Sequence, residues 1–301
     1  MRTLPALLLA ALAVGLSSLS PAFAETPDWQ KVGEALGKTG TELPGGVYRV
    51  GLPRTDLKVT LDGVQVKPSL ALGSWLAFQN MGDKAMVMGD LVLTEKEITP
   101  VLNKLSEGGI GITALHNHLL RASPATFYMH VLGEGEPVKL AAVLHDALAQ
   151  SATPLPEGAS QATGATPAPQ LDFDMAMIDK MLGAKGKVNG GVLQFTVPRA
   201  EKITDNGMEV PPAMGTAEAI NFQPTGSGKA AITGDFVLTA DEVNPVLQTL
   251  RKNGIEITAL HSHMLNEQPR LFFMHFWAND DAKKLASGLR AALDKVNATR
   301  Q

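Results

Sequence analysis

The chain has no cysteine among its 301 residues. That excludes disulfides, thiolate nucleophiles, thiolate metal ligands and attachment of lipid through an N-terminal cysteine. Aromatic residues are sparse at 5%, too few for a base-stacking platform, and no run of Lys or Arg offers a nucleic-acid surface. The formal net charge is −4. Long apolar runs are lacking beyond the first 24 residues, where Arg2 precedes "LPALLLAALAVGL" and the small residues Ala22 to Ala24. This pattern predicts a signal peptide over 1–24, a mature chain with no membrane span, and a periplasmic or secreted location.

What the chain does have is duplication. Gly89–His118 ("GDLVLTEKEITPVLNKLSEGGIGITALHNH") matches Gly234–His263 ("GDFVLTADEVNPVLQTLRKNGIEITALHSH") at 18 of 30 positions without a gap. "GGVYRVGLPR" from Gly45 and "GGVLQFTVPR" from Gly190 extend the repeat upstream. Between the copies, "SATPLPEGASQATGATPAPQ" cannot bury a core and reads as a flexible linker. The expected organisation is therefore a first repeat over 25–150, a linker over 151–170 and a second repeat over 171–301.

Each copy begins with a short amphipathic helix (Trp29 to Leu36; Met175 to Leu182) and continues in strands broken by Gly, Pro and Asp-Gly turns. A helix with Ile98, Val101, Leu102 and Leu105 on one side follows, then two strands, then a last helix from about Pro137 to Leu148. The fold class expected is α+β, with two tandem copies of a two-layer domain and an antiparallel-rich sheet carrying helices on one face. Glu97 and Glu242 fit capping boxes begun by Thr94 and Thr239, although Pro100 and Pro245 offer a second possible helix start. Arg54 and Arg199 read as turn anchors, with an anionic ligand as the other option. Asp90 and Asp235 interrupt apolar strands, where a carboxylate binds backbone or orients a histidine.

Six of the seven histidines fall in two near-copies, "ALHNHLLRASPATFYMH" from Ala114 and "ALHSHMLNEQPRLFFMH" from Ala259. On a strand, residues two apart share a face, so His116 and His118 line up with Ile112 and Ala114. A hairpin turning at Pro124 sets His118 opposite His130, and one turning at Pro269 sets His263 opposite His275. Phe127, Met129 and Val131 lie on the other face, under the helices. Three imidazoles per copy then form a triangle able to hold a divalent transition metal, zinc foremost, through His116, His118, His130 and through His261, His263, His275. Locally this is similar to the zinc site of α-type carbonic anhydrases and to the His-x-His of cupins, without the cupin glutamate. An open fourth position permits metal-water hydration or hydrolysis without requiring it. His145 reads as a surface or edge residue. No catalytic residue and no organic cofactor site is indicated; no Ser-His-Asp set, phosphate loop or dinucleotide fingerprint is present.

The words "LALGSWLAFQ", "MGDLVLTEKEITPVL", "GITALHNHLL" and "PATFYMH" resemble the LppY/LpqO-type family of bacterial envelope-associated proteins. The resemblance spans essentially the whole mature chain. It implies an exported, duplicated domain without an assigned activity. Lipoprotein members differ from this cysteine-free chain. Beside a metal-binding protein stand two alternatives, a metal-independent binder of a small molecule and an interaction protein of the envelope.

Overall fold

A computed structural model describes residues 27–155 and 171–299. The signal peptide expected over 1–24 and residues 156–170 of the expected linker lie outside the described residues. In the first repeat the order is α1 (Trp29–Leu36), β1 (Thr41–Leu43), β2 (Val47–Pro53), β3 (Val59–Leu61), β4 (Val64–Val66), α2 (Pro68–Ala71), β5 (Gly73–Asn80), β6 (Ala85–Leu93), α3 (Glu95–Glu107), β7 (Gly111–His116), β8 (Phe127–Gly135) and α4 (Pro137–Leu148). The second repeat runs α5 (Met175–Leu182), β9 (Lys187–Asn189), β10 (Val192–Pro198), β11 (Thr204–Asp205), β12 (Met208–Glu209), a 3₁₀ turn (Pro212–Met214), β13 (Ala217–Gly226), β14 (Lys229–Leu238), α6 (Ala240–Lys252), β15 (Glu256–His261), β16 (Glu267–Gln268), β17 (Phe272–Asp281) and α7 (Ala282–Leu293).

Local chemistry fixes the helix ends. Asp28 and Asp174 accept from backbone amides in the first turns of α1 and α5, and Gly37 and Gly183 end these helices in the left-handed region at φ 80° and 67°. Thr94 with Glu97 and Thr239 with Glu242 close capping boxes on α3 and α6. Pro100 and Pro245 consequently fall inside those helices, not at their first positions.

Each repeat forms a six-stranded antiparallel sheet, in the orders β1-β2-β5-β6-β8-β7 and β15-β17-β14-β13-β10-β9. Period-2 alternation divides each strand between two cores. Tyr48, Val50, Leu52, Leu76, Phe78, Val87, Leu91, Met129 and Val131 face α1, α3 and α4. The opposite sheet faces pack on each other. Val47, Ala77, Met86 and Met88 meet Val237, Leu271 and Phe273 in one patch, and Val92 and Tyr128 meet Ala231 and Trp277 in another. The result is four layers, helices–sheet–sheet–helices, and β6 is buried along its whole length.

The repeats also exchange flaps. The segment β3-β4-α2 leaves the first repeat and lies against the second, where Gln194 Nε2 donates to Ser69 O at 2.7 Å and Gln223 Nε2 donates to Gln65 O at 2.8 Å. In return Arg49 Nη1 donates to Ala213 O on the 3₁₀ turn.

Arg54 and Arg199 anchor the strand ends that launch these flaps. Arg54, with 0% exposure, donates to Asp56 at 2.8 and 2.9 Å, to Glu97 at 2.9 and 3.0 Å and to Val92 O at 2.6 Å. Arg199 makes the same set with Glu201, Glu242 and Val237 O. Carboxylates of the chain itself thus occupy both guanidinium forks. Replacing Arg54 by Ala strands two carboxylates around a vacated buried site, so Arg54→Ala is expected to cost about 3–5 kcal/mol in denaturant unfolding. A loss below about 1 kcal/mol, the worth of an exposed pair, contradicts that account.

Candidate metal centre

The sheet registers build the centre row by row. Trp75 pairs with Asp90, Asp90 with His130, and His130 with Ala114. In the second repeat Ala219 pairs with Asp235, Asp235 with His275, and His275 with Ala259. Cross-strand neighbours on one face sit about 5 Å apart at Cβ, which sets each aspartate beside a histidine. Asp90 Oδ1 lies 3.7 Å from His130 Nε2, and Asp235 Oδ1 lies 3.7 Å from His275 Nε2. Gly234 permits this close packing, because a Cβ there would meet Ala219 O at 1.9 Å. Its carbonyl also accepts from His275 Nδ1 at 3.0 Å in the tautomer that leaves Nε2 as the free lone pair.

The hairpin register departs from the sequence expectation. His130 pairs with Ala114 and His116 with Tyr128, so His118 does not face His130. Two features cause the difference. A bulge between Ile112 and Ala114, and another between Ile257 and Ala259, inserts one residue into the alternation. Ile112 and Ile257 therefore pack on the helix side instead of sharing the histidine face. The connection after His116 is moreover no tight turn. It swings out so that Ser123 bridges Thr60 and Arg121 pairs with Asp62 at 2.9 Å and Glu256 at 2.7 Å. His118 leaves the sheet and stacks on Tyr128, with ring centroids 3.5 Å apart.

Convergence comes from the other repeat instead. Three cofacial pairs cross the interface: His116 on His261 at 3.5 Å, His118 on His275 at 3.6 Å and His130 on His263 at 3.7 Å between centroids. Within the first repeat the spacings are wider, 4.9 Å, 5.0 Å and 6.3 Å. The two expected triangles are one contiguous cluster of all six rings around a pseudo-twofold axis, which pairs His116 with its own counterpart. Ring nitrogens of His116, His118, His130 and His263 lie within 4.8 Å of one another, as do those of His118, His261, His263 and His275. His118 and His263 belong to both groups. His145 stands apart, its Nδ1 3.0 Å from Leu36 O, and ties α4 to α1.

Burial holds the rings neutral. It lowers His116 to about 3 and His261 to about 4. His118, His130, His263 and His275 lie well below the ordinary imidazole value, through burial and then through neighbouring imidazoles. Burial pushes Asp90 up to about 8 and Asp235 well above the carboxyl range. Sixteen buried side-chain atoms lack a hydrogen-bond partner among the described residues. Eight are imidazole nitrogens of this cluster and two are the facing oxygens of Asp90 and Asp235. So dense a group of unmet donors and acceptors could hold a metal ion. Sequence reasoning left Glu218 unnoticed. This fully buried carboxyl binds Val237 N at 2.7 Å, where the first repeat uses Ser74 on Val92 N. Only alignment of the two copies shows that exchange.

The family model for a Domain of Unknown Function (DUF1259) matches residues 30–150 and again 176–295. The chain belongs to that family. Both DUF1259 copies thus contribute three histidines each to the shared cluster. No curated protein matches the chain. Two solved structures are similar over most of their length. One is a trimeric bacterial microcompartment shell protein, PduB, at 10% identity, with 86% of this chain and 90% of that chain covered and a TM-score of 0.23. The other is EtuB from Clostridium kluyveri at 9% identity, with 85% and 89% covered and a TM-score of 0.20. At these scores neither likeness bears on the fold or the function of this DUF1259 protein.

The neutral rings give metal-free protein a defined pH response. Imidazoles held below 6.5 refuse protons that the unfolded chain accepts, so stability is lost as pH falls from about 6.5 towards 3. Asp90 works in the opposite sense: its carboxyl keeps a proton that the unfolded chain releases, so stability is lost as pH rises from about 4 to about 8. Six rings outweigh two aspartates on the acid side, while above the imidazole range Asp90, Asp235 and the likewise raised Glu218 act. Thermal melts of chelator-treated protein should therefore peak near pH 6.5, and Asp90→Asn with Asp235→Asn should flatten the alkaline limb. A profile flat from pH 4 to 6.5 contradicts it.

Proposed function

We propose that this chain is an exported transition-metal-binding protein whose centre is assembled between its two repeats from His116, His118, His130, His261, His263 and His275. The observation that carries the reading is the convergence of unpartnered imidazole nitrogens into two overlapping four-histidine groups. A role in packing alone explains the stacked rings but leaves those nitrogens buried without partners, which costs free energy. Nitrogen donors without sulfur suit Zn²⁺, Ni²⁺ or Cu²⁺, with zinc the leading candidate. Export rests on Arg2, the apolar run and Ala22 to Ala24. The LppY/LpqO-type words of the sequence agree with an envelope location.

A neutral imidazole has one lone pair. His118 and His263 therefore cannot serve both groups at once while neutral. The cluster holds one ion on four rings or two ions on three rings each, and the second arrangement leaves a fourth position open to a ligand. A hydrolase or hydratase activity would need that second arrangement.

Elemental analysis of untagged protein decides between them, at about one or about two molar equivalents of a transition metal. His118→Phe with His263→Phe preserves ring area but removes the ligands common to both groups. The double variant should fold, lose its metal and lose the rise in melting temperature that added metal gives the wild type. Wild-type protein that contains no transition metal and takes none up on titration overturns the reading. A double variant that keeps the full metal content overturns the ligand set.

A further inference from the structure

The two ends of the histidine cluster are not equivalent. His130 and His263 face a small space of about 20 Å³, lined among others by Trp75, Met88, Met214 and Met264. His118 and His275 face a cavity of about 810 Å³, whose lining includes the exposed residues Gly51, Gly73 and Thr196 at its mouth. Divergence of the copies explains the difference. Trp75 and Met88 of the first repeat correspond to Ala219 and Thr233 of the second, and both of these small residues line the open cavity. A volume of this size suits a small-molecule ligand.

The cavity lining carries charges of both signs. Asp90 and Asp235 lie at the histidine end. Arg49, on β2, also lines the cavity, two strands from Asp90 and one row along, in line with Met88, and its charge is felt by Asp90. Its guanidinium lies over the Trp75 ring at 4.1 Å and gives one hydrogen bond, to Ala213 O. Among the described residues it makes no ion pair, unlike Arg54, Arg121, Arg199, Arg270 and Arg290. Burial lowers it to about 10, still charged at neutral pH. Lys67, also on the lining, spends its ammonium on Gly191 O at 3.0 Å, with no carboxylate partner. The residue equivalent to Arg49 is Gln194, which makes the matching contact to a flap carbonyl, Ser69 O. The flap contact therefore needs no positive charge. Arg49 keeps one all the same, in the lining of the larger cavity.

We propose that this cavity binds a small organic oxyanion, its carboxylate or phosphate held by the Arg49 fork and its body extending over Trp75 towards His118 and His275. A planar guanidinium with free N–H groups pairs with such anions in a bidentate manner. Contact of the ligand's far end with a metal rests on the function proposed above; capture of the anionic end by Arg49 does not.

The test uses chelator-treated full-length protein at pH 7, with benzoate and inorganic phosphate as probes and tryptophan fluorescence as readout. Benzoate should bind saturably. Arg49→Gln, which installs the second repeat's own residue, should weaken it about tenfold or more. Gly51→Leu should abolish it by filling the mouth, where a Cβ at Gly51 meets nothing within 4 Å. Arg49→Lys should fall between wild type and Arg49→Gln. If Arg49→Gln does not fold, the Gly51→Leu result decides. Failure of both probes to saturate, or unchanged benzoate binding in Gly51→Leu, overturns the proposal, and phosphate binding without benzoate binding overturns the organic part of it. Benzoate binding by protein that takes up no metal removes the metal reading and leaves this one standing.

Discussion

Everything at the centre of this molecule follows from two sheets meeting face to face. Each repeat uses one side of its sheet for helices, and the other side, left bare, needs cover. The second copy provides it. Where the bare faces carry Val, Leu, Met and Phe they form ordinary apolar patches. Where they carry histidine and aspartate, the same packing removes the groups from water before they have found partners. Burying unmet polar groups is expensive, so the interface is stable overall only because the apolar patches flank the cluster on both sides.

The flaps strengthen that closure. Each sheet lends a short hairpin and turn to the other, fixed by amide and guanidinium contacts to backbone carbonyls. Their roots are the buried arginines 54 and 199, which tie strand end, flap and helix cap together in one network. The glutamates that cap α3 and α6 are the same groups that hold those arginines. Helix initiation and interface geometry are thereby coupled within each repeat.

Much of this was legible in the sequence. The duplication, the α+β class, the limits of α1, α4 and α5, the capping boxes and the face on which the return-strand histidines lie all follow from spacing and turn chemistry. The register of the histidine strands was not legible. A bulge at Thr113 and another at Thr258 change which residues share a face, and nothing in an Ile-Thr-Ala string announces a bulge. Nor does a proline disclose that its loop will reach out to a flap instead of turning tightly. The meeting of the six imidazoles is a property of two faces about 10 Å apart, and no one-dimensional spacing encodes it. Arg49 was hidden for the same reason, since its significance lies in a cavity between the sheets and in the absence of a carboxylate within ion-pair distance among the described residues.

His116 stacked on His261 has a consequence of its own. The pair places a symmetry axis through the molecule, as between two identical subunits of an isologous dimer. In such a dimer any residue present at one end is present at the other. Tryptophan at both ends would close both cavities, and arginine at both would double the charge. One continuous chain is free of that constraint. It can keep a symmetric histidine core while making one end a wall and the other a doorway.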